Sequence, residues 1–208
     1  MAIRGIGFDY LGVTALLPQR FADIFTQVGQ LVNVDPDKVR ASYRSHSRQF
    51  QIGEFGIEEV WKRVADDIDR SDQLAAIFAA SRQDTPIPSK TILDLVDRLR
   101  KNGYQTGLLS NLGSGTEWDA ALYKAGVDKH FDAVILSGDL GVAKPDPRAF
   151  EALADAMDVS TNEMVFVDDR ESAVAGVESI GVRPVIYHGW EHSIDDLTRD
   201  LKALGVKI

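Results

Sequence analysis

The sequence contains no cysteine, which excludes disulfide bonds, thiolate metal ligands and a cysteine nucleophile. Basic residues are also few, because 23 Lys and Arg stand against 32 Asp and Glu, and the net charge is −9. Nucleic acids and anionic membranes attract basic surfaces, so neither is an expected partner. The longest apolar run covers residues 11–17, whereas a membrane-spanning helix needs roughly 20 apolar residues. We therefore expect a cytoplasmic protein without a membrane-spanning segment.

The N-terminal segment, residues 1–17, has some features of a signal peptide. However, Asp9 interrupts its apolar region and no small-residue cleavage site follows, so we predict that it belongs to the mature protein. The chain has 208 residues, which is enough for one α/β domain with a modest insertion. It is too short for two full-sized enzymes.

Hydrophobic spacing separates the chain into a first strand, a helical segment and a long alternating part. A short apolar strand is predicted over residues 3–8, and it stops at Asp9. No strand is predicted from there to about residue 104, and residues 17–86 show helical spacing instead. The helices predicted in this segment cover 18–32, a stretch that starts at Asp35-Pro36, 57–68 and 74–80.

From residue 87 onward, predicted strands and helices alternate. The strands cover 104–109, 133–136, 164–167 and 184–187. The helices cover 92–99, 118–124, 147–157, 173–180 and 194–204. Such alternation is typical of a parallel sheet with helices on both faces. We therefore predict an α/β domain built from residues 1–16 and 87–208, with an all-α insertion over residues 17–86.

Six polar residues lie at the carboxyl ends of predicted strands or in the loops beyond, where open α/β sheets bind their ligands. They are Asp9, Ser110, Asn111, Lys144, Asp168 and Asp169. Three carboxylates placed close together repel one another unless a cation or a proton relieves the repulsion. Mg²⁺ suits such a site, because it binds one or two carboxylates together with water and a phosphate oxygen. A carboxylate can also attack phosphorus while a lysine offsets the negative charge.

Four short motifs carry these residues in order along the chain. They are Phe8-Asp9-Tyr10-Leu11, Leu108-Leu109-Ser110-Asn111, Lys144-Pro145 and Phe166-Val167-Asp168-Asp169. In this order they resemble the motifs of the haloacid dehalogenase superfamily, and in particular its phosphatases with a helical cap inserted after the first strand. The resemblance implies a Rossmann-like core, a Mg²⁺ cofactor and a small phosphorylated metabolite as the substrate.

The resemblance also implies a role for each matching residue. The implied catalytic residues are Asp9 as the nucleophile, Ser110 and Lys144. The implied substrate-binding residues are Ser110, Asn111 and Lys144. The implied metal ligands are Asp9, the Leu11 backbone carbonyl, Asp168 and Asp169, the last either directly or through water.

One position departs from the pattern of these phosphatases. They carry a second Asp two residues after the nucleophile, which serves as general acid and base, whereas this chain has Leu11 there. Leucine cannot transfer a proton, and general acid–base catalysis typically contributes about 10²–10⁴-fold. Two alternatives to a phosphohydrolase therefore stay open. One is a degenerate member that binds a phosphorylated ligand or a protein partner without turnover, and the other is a dehalogenase.

The dehalogenase alternative is the weaker of the two. The dehalogenases of the superfamily also lack this second Asp, but they need no Mg²⁺ and do not usually keep the paired Asp of the fourth motif. The pair Asp168-Asp169 therefore favours metal and phosphate over carbon–halogen chemistry.

Two further groups of residues, a basic run and a pair of histidines, carry side chains that can bind ligands. Arg40, Arg44, His46 and Arg48 form a basic run in the insertion. A solvated helix face accounts for most of them, although one of the four is able to reach the substrate. His188 and His192 are four residues apart, but Gly189 argues against a helical zinc pair, so both are predicted at the surface.

Overall fold

The computed structural model describes residues 2–17, 24–81, 85–113, 116–189 and 192–208. The strands among them are β1 (Gly5–Phe8), β2 (Ala15–Leu16), β3 (Ile87–Pro88), β4 (Gln105–Ser110), β5 (Ala133–Leu136), β6 (Met164–Asp168) and β7 (Arg183–Ile186). Five of these strands form one parallel sheet in the order β5-β4-β1-β6-β7. The predicted α/β fold with a parallel sheet is confirmed, and β1 lies at its centre.

Most of the predicted helices are present, and a short helix that was not predicted is added after β5. Within the described residues they are α1 (Ile24–Val32), α2 (Pro36–Gln51), α3 (Ile57–Asp67), α4 (Leu74–Ala80), α5 (Lys90–Lys101), α6 (Glu117–Lys124), α7 (Ser137–Leu140), α8 (Pro147–Ala156) and α9 (Ile194–Ala203). The start of α2 is set as the sequence indicates, because the Asp35 side chain accepts a hydrogen bond from the Asp37 N–H at 2.9 Å. Part of the helix predicted over 18–32 lies outside the described residues.

Helices cover both faces of the sheet, as predicted. On one face, α5, α6 and α9 contribute buried Leu95, Leu122 and Leu201 to one hydrophobic cluster. On the other face, α8 contributes Phe150 and Leu153 to a second cluster. Burial of apolar area in these two layers is the main force that fixes the helices on the sheet.

The helices α1–α4 form the insertion, and they bury a hydrophobic cluster of their own. Its fully buried members include Val60, Trp61 and Ile77. The prediction that no strand occurs between Asp9 and about residue 104 is wrong, because β2 and β3 pair antiparallel on either side of the insertion. Strands of two residues are too short to show a period in the sequence. The domain boundaries at residues 17 and 86 stay predictions.

The helix predicted over 173–180 is also wrong. The structure has two short 3₁₀ turns there, Glu171–Ala173 and Val177–Ile180. Gly176 stands between them with a φ of 80°, a left-handed conformation that interrupts an α-helix. Val174 and Val177 are nevertheless buried against the α8 side of the sheet, so the apolar spacing reflects packing rather than a helix.

None of the helices in the described part of the chain is both long enough and apolar enough to cross a membrane.

Candidate functional site

The register of the central strands places the first and fourth motifs side by side. Phe8, the last residue of β1, is level with Leu108 on β4 and Val167 on β6. The Asp9 N–H donates to the Val167 carbonyl at 2.9 Å, so Asp9 leaves the sheet beside Asp168. Within the five-stranded sheet, the chain passes from β1 to its neighbour β4 and from β6 to β7, so the connections from β1 and β6 run in opposite directions. Open α/β sheets bind ligands at such a point, outside the carboxyl ends of the strands.

Three carboxylates and one ammonium meet at this point. Asp9, Asp168 and Asp169 each offer an oxygen within 4.8 Å of the others. Lys144 Nζ lies 2.9 Å from Asp9 Oδ1 and 2.6 Å from Asp168 Oδ2. The ammonium also lies 4.9 Å from the centre of the Phe166 ring. Asp9, Asp168 and Lys144 are all almost completely buried, so these charges interact with little screening by water.

The loop after Asp9 folds back on itself and brings its backbone close to Asp169. The Thr14 hydroxyl donates to the Asp9 carbonyl at 2.6 Å, and the Tyr10 N–H donates to Asp9 Oδ1 at 2.8 Å. Gly12 has a φ of 96°, and a Cβ added there would overlap with Asp169 Oδ2. Only glycine allows this approach, so Gly12 makes room for the third carboxylate.

Burial and like charge raise the pKa of two carboxyls in this group. Burial raises the pKa of Asp9, and Asp168 acts in the same direction while Lys144 opposes it. Burial, followed by the charges of Asp9 and Asp168, raises the pKa of Asp169 from 3.8 to about 6. The positive charges of Lys144 and Arg170 therefore do not fully offset burial and the repulsion among the three carboxylates.

The carboxylate group fits a divalent cation. Asp169 Oδ1 is buried and accepts no hydrogen bond within the described part of the chain, and its ion-pair partner Arg170 Nε lies 3.6 Å away. A buried carboxylate oxygen that accepts no hydrogen bond, on a side chain grouped with two further carboxylates, is the kind of donor that Mg²⁺ uses. This is the one group of three or more potential metal ligands found among the described residues.

Replacing Asp169 with Asn is expected to stabilise the metal-free protein at neutral pH. Because the folded-state pKa of Asp169 is about 6, above its ordinary 3.8, the folded protein binds more protons than the unfolded chain in this interval. The contribution of Asp169 to the free energy of unfolding therefore falls as the pH rises from about 4 to about 6, and it stays lowered at higher pH. Asn carries no such charge. Urea unfolding midpoints in EDTA should favour the variant above pH 7, with the difference shrinking toward about pH 4. Equal midpoints above pH 7 would contradict the expectation.

Asn111 and Ser110 occupy different surroundings at the end of β4. Ser110 is buried and pairs with Leu136 in the sheet register. The Asn111 side chain holds the backbone of Lys144 at both ends, because its Oδ1 accepts from the Lys144 N–H at 2.8 Å and its Nδ2 donates to the Lys144 carbonyl at 2.9 Å. The predicted phosphate contacts of Ser110 and Asn111 stay predictions, as does the metal contact of the Leu11 carbonyl.

Arg48 is a residue whose place the sequence did not identify. It comes from the last turn of α2, in the insertion, and its Nη1 lies 3.1 Å from the carbonyls of both Ala143 and Lys144. Elsewhere in the same basic run, Arg40 pairs with Asp37 and His46 lies 2.9 Å from Asp67. The sequence signal was the basic run itself, which does not show which member faces the sheet.

The two histidines bond to each other rather than to the carboxylate group. The His188 N–H donates to His192 Nδ1 at 3.3 Å, and the ring centres lie 5.2 Å apart. His192 is exposed and His188 is half-buried, close to the predicted surface position.

Comparisons with known proteins agree with the motifs. A family model described as haloacid dehalogenase-like hydrolase matches residues 9–181. The chain is 31% identical to a phosphatase of Mycobacterium tuberculosis over 147 residues, which is 71% of this chain and 64% of that protein. It is 30% identical to (S)-2-haloacid dehalogenase 4A of Burkholderia cepacia over 92 residues, or 44% of this chain and 39% of that protein. The chain therefore spans less than two thirds of the length of these curated relatives.

A solved structure has the same fold. A HAD family enzyme of Bacteroides thetaiotaomicron, crystallised with magnesium and inorganic phosphate, superposes with a TM-score of 0.63 at 20% identity. The match covers 94% of this chain and 99% of that one. At this identity the likeness concerns the fold, a parallel sheet with an inserted group of helices.

Proposed function

This chain belongs to the haloacid dehalogenase-like hydrolase family, and on that basis we propose that it is a Mg²⁺-dependent phosphohydrolase of a small phosphorylated metabolite. The observation that carries the proposal is the meeting of Asp9, Asp168 and Asp169 at the carboxyl edge of the sheet, with Lys144 held between Asp9 and Asp168. Similarity to a phosphatase over 71% of the chain supports it.

In the proposed reaction, Asp9 is the nucleophile. One of its carboxylate oxygens attacks the phosphorus atom, the bond from phosphorus to the leaving oxygen breaks, and the phosphoryl group becomes attached to Asp9. Water then attacks the same phosphorus, inorganic phosphate leaves, and the Asp9 carboxylate returns. Both steps bring negative groups together, so positive charge fixed in advance lowers the barrier.

Lys144 supplies part of that charge from this chain. Its ammonium is held between Asp9 and Asp168 at 2.9 and 2.6 Å, so it needs no rearrangement when the phosphate arrives. Mg²⁺, bound by Asp9, the Leu11 carbonyl, Asp168 and Asp169, would supply the remaining positive charge. Ser110, buried at the end of β4, would hold a phosphate oxygen. The helical insertion would act as a cap that excludes water during attack.

The absence of a general acid at position 11 limits the range of substrates that we expect. Leu11 is half-buried and packs against the sheet cluster, and it cannot protonate a leaving group. Leaving groups of low pKa, such as the carboxylate of an acyl phosphate or the anomeric oxygen of a sugar 1-phosphate, depart with less help from an acid than an ordinary alkoxide needs. We therefore infer that such compounds are turned over faster than ordinary phosphate monoesters.

The proposal is tested by phosphate release from a panel of acetyl phosphate, sugar 1-phosphates and ordinary phosphate monoesters, with Mg²⁺ and with EDTA. Release is expected with Mg²⁺ only, and fastest for the acyl and anomeric phosphates. If no compound is hydrolysed but Mg²⁺ and inorganic phosphate still bind, the degenerate binding protein that Leu11 also permits is the better description. Chloride release from a 2-chloro acid in EDTA would instead support a dehalogenase, the activity of the Burkholderia relative.

A further inference from the structure

The C-terminal end of α2 is built into the loops that carry the site. Phe50 packs against the loop after β4, since a Cβ added to Gly113 would lie 2.5 Å from the Phe50 ring. The buried Ser137, at the end of β5, donates its hydroxyl hydrogen to the Gln51 carbonyl at 2.5 Å. Gly53 lies against the next residue, Gly138, because a Cβ added to Gly53 would be 2.5 Å from the Gly138 carbonyl oxygen. The C-terminal end of α2 is therefore anchored on the segments that follow β4 and β5.

Arg48 connects this end of α2 to the backbone of Lys144. The Asn111 side chain holds the Lys144 backbone through both its N–H and its carbonyl. Arg48 Nη1 also lies 3.1 Å from the Lys144 carbonyl, and it lies 3.1 Å from the Ala143 carbonyl. A guanidinium that donates to two successive carbonyls fixes the direction of the peptide between them, because its donors lie in one rigid plane.

We propose that Arg48 is a positioning residue that acts through Lys144, by fixing the backbone from which the ammonium reaches Asp9 and Asp168. The inference rests on the proposed phosphohydrolase function for its kinetic part. The buried ammonium must lie within hydrogen-bond distance of two carboxylates, and a shift of the backbone by a fraction of an ångström weakens both contacts. Arg48 itself is exposed overall and is not expected to touch the reacting phosphate.

The test compares Arg48→Ala with Arg44→Ala, which removes the same charge from an exposed position one turn earlier on α2. With acetyl phosphate and Mg²⁺, Arg48→Ala should lower kcat by about 10–100-fold, the usual effect of losing a group that orients an active-site residue. KM should change little, and the melting temperature should match that of Arg44→Ala. Added methylguanidine should restore part of kcat in Arg48→Ala and have no effect on Arg44→Ala. Arg48→Lys should recover less than full activity, since an ammonium does not reproduce the planar donors.

An activity-independent measurement separates this inference from the proposed function. The Lys144 amide hydrogen, which donates to Asn111, should exchange with solvent faster in Arg48→Ala than in wild type or Arg44→Ala when followed by NMR. If the wild-type protein hydrolyses nothing, the proposed function fails, but faster exchange at Lys144 still supports the contact. Exchange that is unchanged, or a loss of kcat equal to that of Arg44→Ala, overturns the role of Arg48.

Discussion

Replacing Asp9 with Asn is expected to remove Mg²⁺-dependent phosphate release, with kcat falling by about 10⁴–10⁶-fold. An amide oxygen is a poor nucleophile, so the phosphoryl group has no acceptor on the protein. The fold should survive, because Asn can still accept the hydrogen bond from the Tyr10 N–H, and Lys144 keeps its contact with Asp168. The loss would therefore be a loss of chemistry rather than of structure.

The measurement is phosphate release from acetyl phosphate, together with a melting curve for each variant. Asp94→Asn provides the matched control, since it makes the same change in an exposed helix residue that pairs with Lys90. Mass spectrometry of the acid-quenched wild-type protein should find a phosphoryl group on the peptide that contains Asp9, and none in Asp9→Asn. Activity that persists in Asp9→Asn would rule out this residue as the nucleophile.

The meeting of Asp9 with Asp168 was predictable because it depends on the sheet alone. Each residue follows a short apolar strand, and parallel strands bring their carboxyl ends to one edge. The structure pairs Phe8 with Val167, which brings the two carboxylates together. The period of hydrophobic residues thus carries enough information to locate this part of the site.

The surroundings of Lys144 were not predictable in the same way. The side chains of Asn111 and Arg48 both bind the backbone of Lys144, although they lie 33 and 96 positions from it in the sequence. Such contacts depend on how loops and the helical insertion sit on the sheet, and no period in the sequence reports on that. For the same reason the basic run of α2 did not reveal that Arg48 faces the loop of Lys144 while Arg40 pairs on its own helix.

The two errors in secondary structure have local causes. The strands β2 and β3 have two residues each and pair across the whole insertion, so neither shows an alternating pattern. Residues 173–180 have helical apolar spacing, but Gly176 at a φ of 80° breaks them into two turns. In both places the spacing of hydrophobic residues does not report the local geometry of the backbone.

Introducing a carboxylic acid at position 11 is expected to raise the turnover of ordinary phosphate monoesters. Leu11 stands two residues after Asp9, in a loop tied by the hydrogen bond from Gly12 N–H to the Ala15 carbonyl at 2.8 Å. An acid there could protonate the leaving oxygen and later take a proton from the attacking water. The gain in kcat for Leu11→Asp should approach the usual contribution of general acid–base catalysis, about 10²–10⁴-fold. Acetyl phosphate, whose leaving group needs little protonation, should gain far less.

Leu11→Asn is the control that isolates proton transfer. It removes the same apolar contact with the sheet cluster and has nearly the same shape as Asp, but its amide cannot act as a general acid or base. The rate for monoesters should therefore rise in Leu11→Asp only, and its pH profile should gain a limb that wild type and Leu11→Asn lack. If the two variants have equal rates, the scaffold lacks the geometry for acid catalysis. Leucine at this position would then be one of several departures from a phosphatase of monoesters, and turnover confined to activated phosphates would be a property of the whole site.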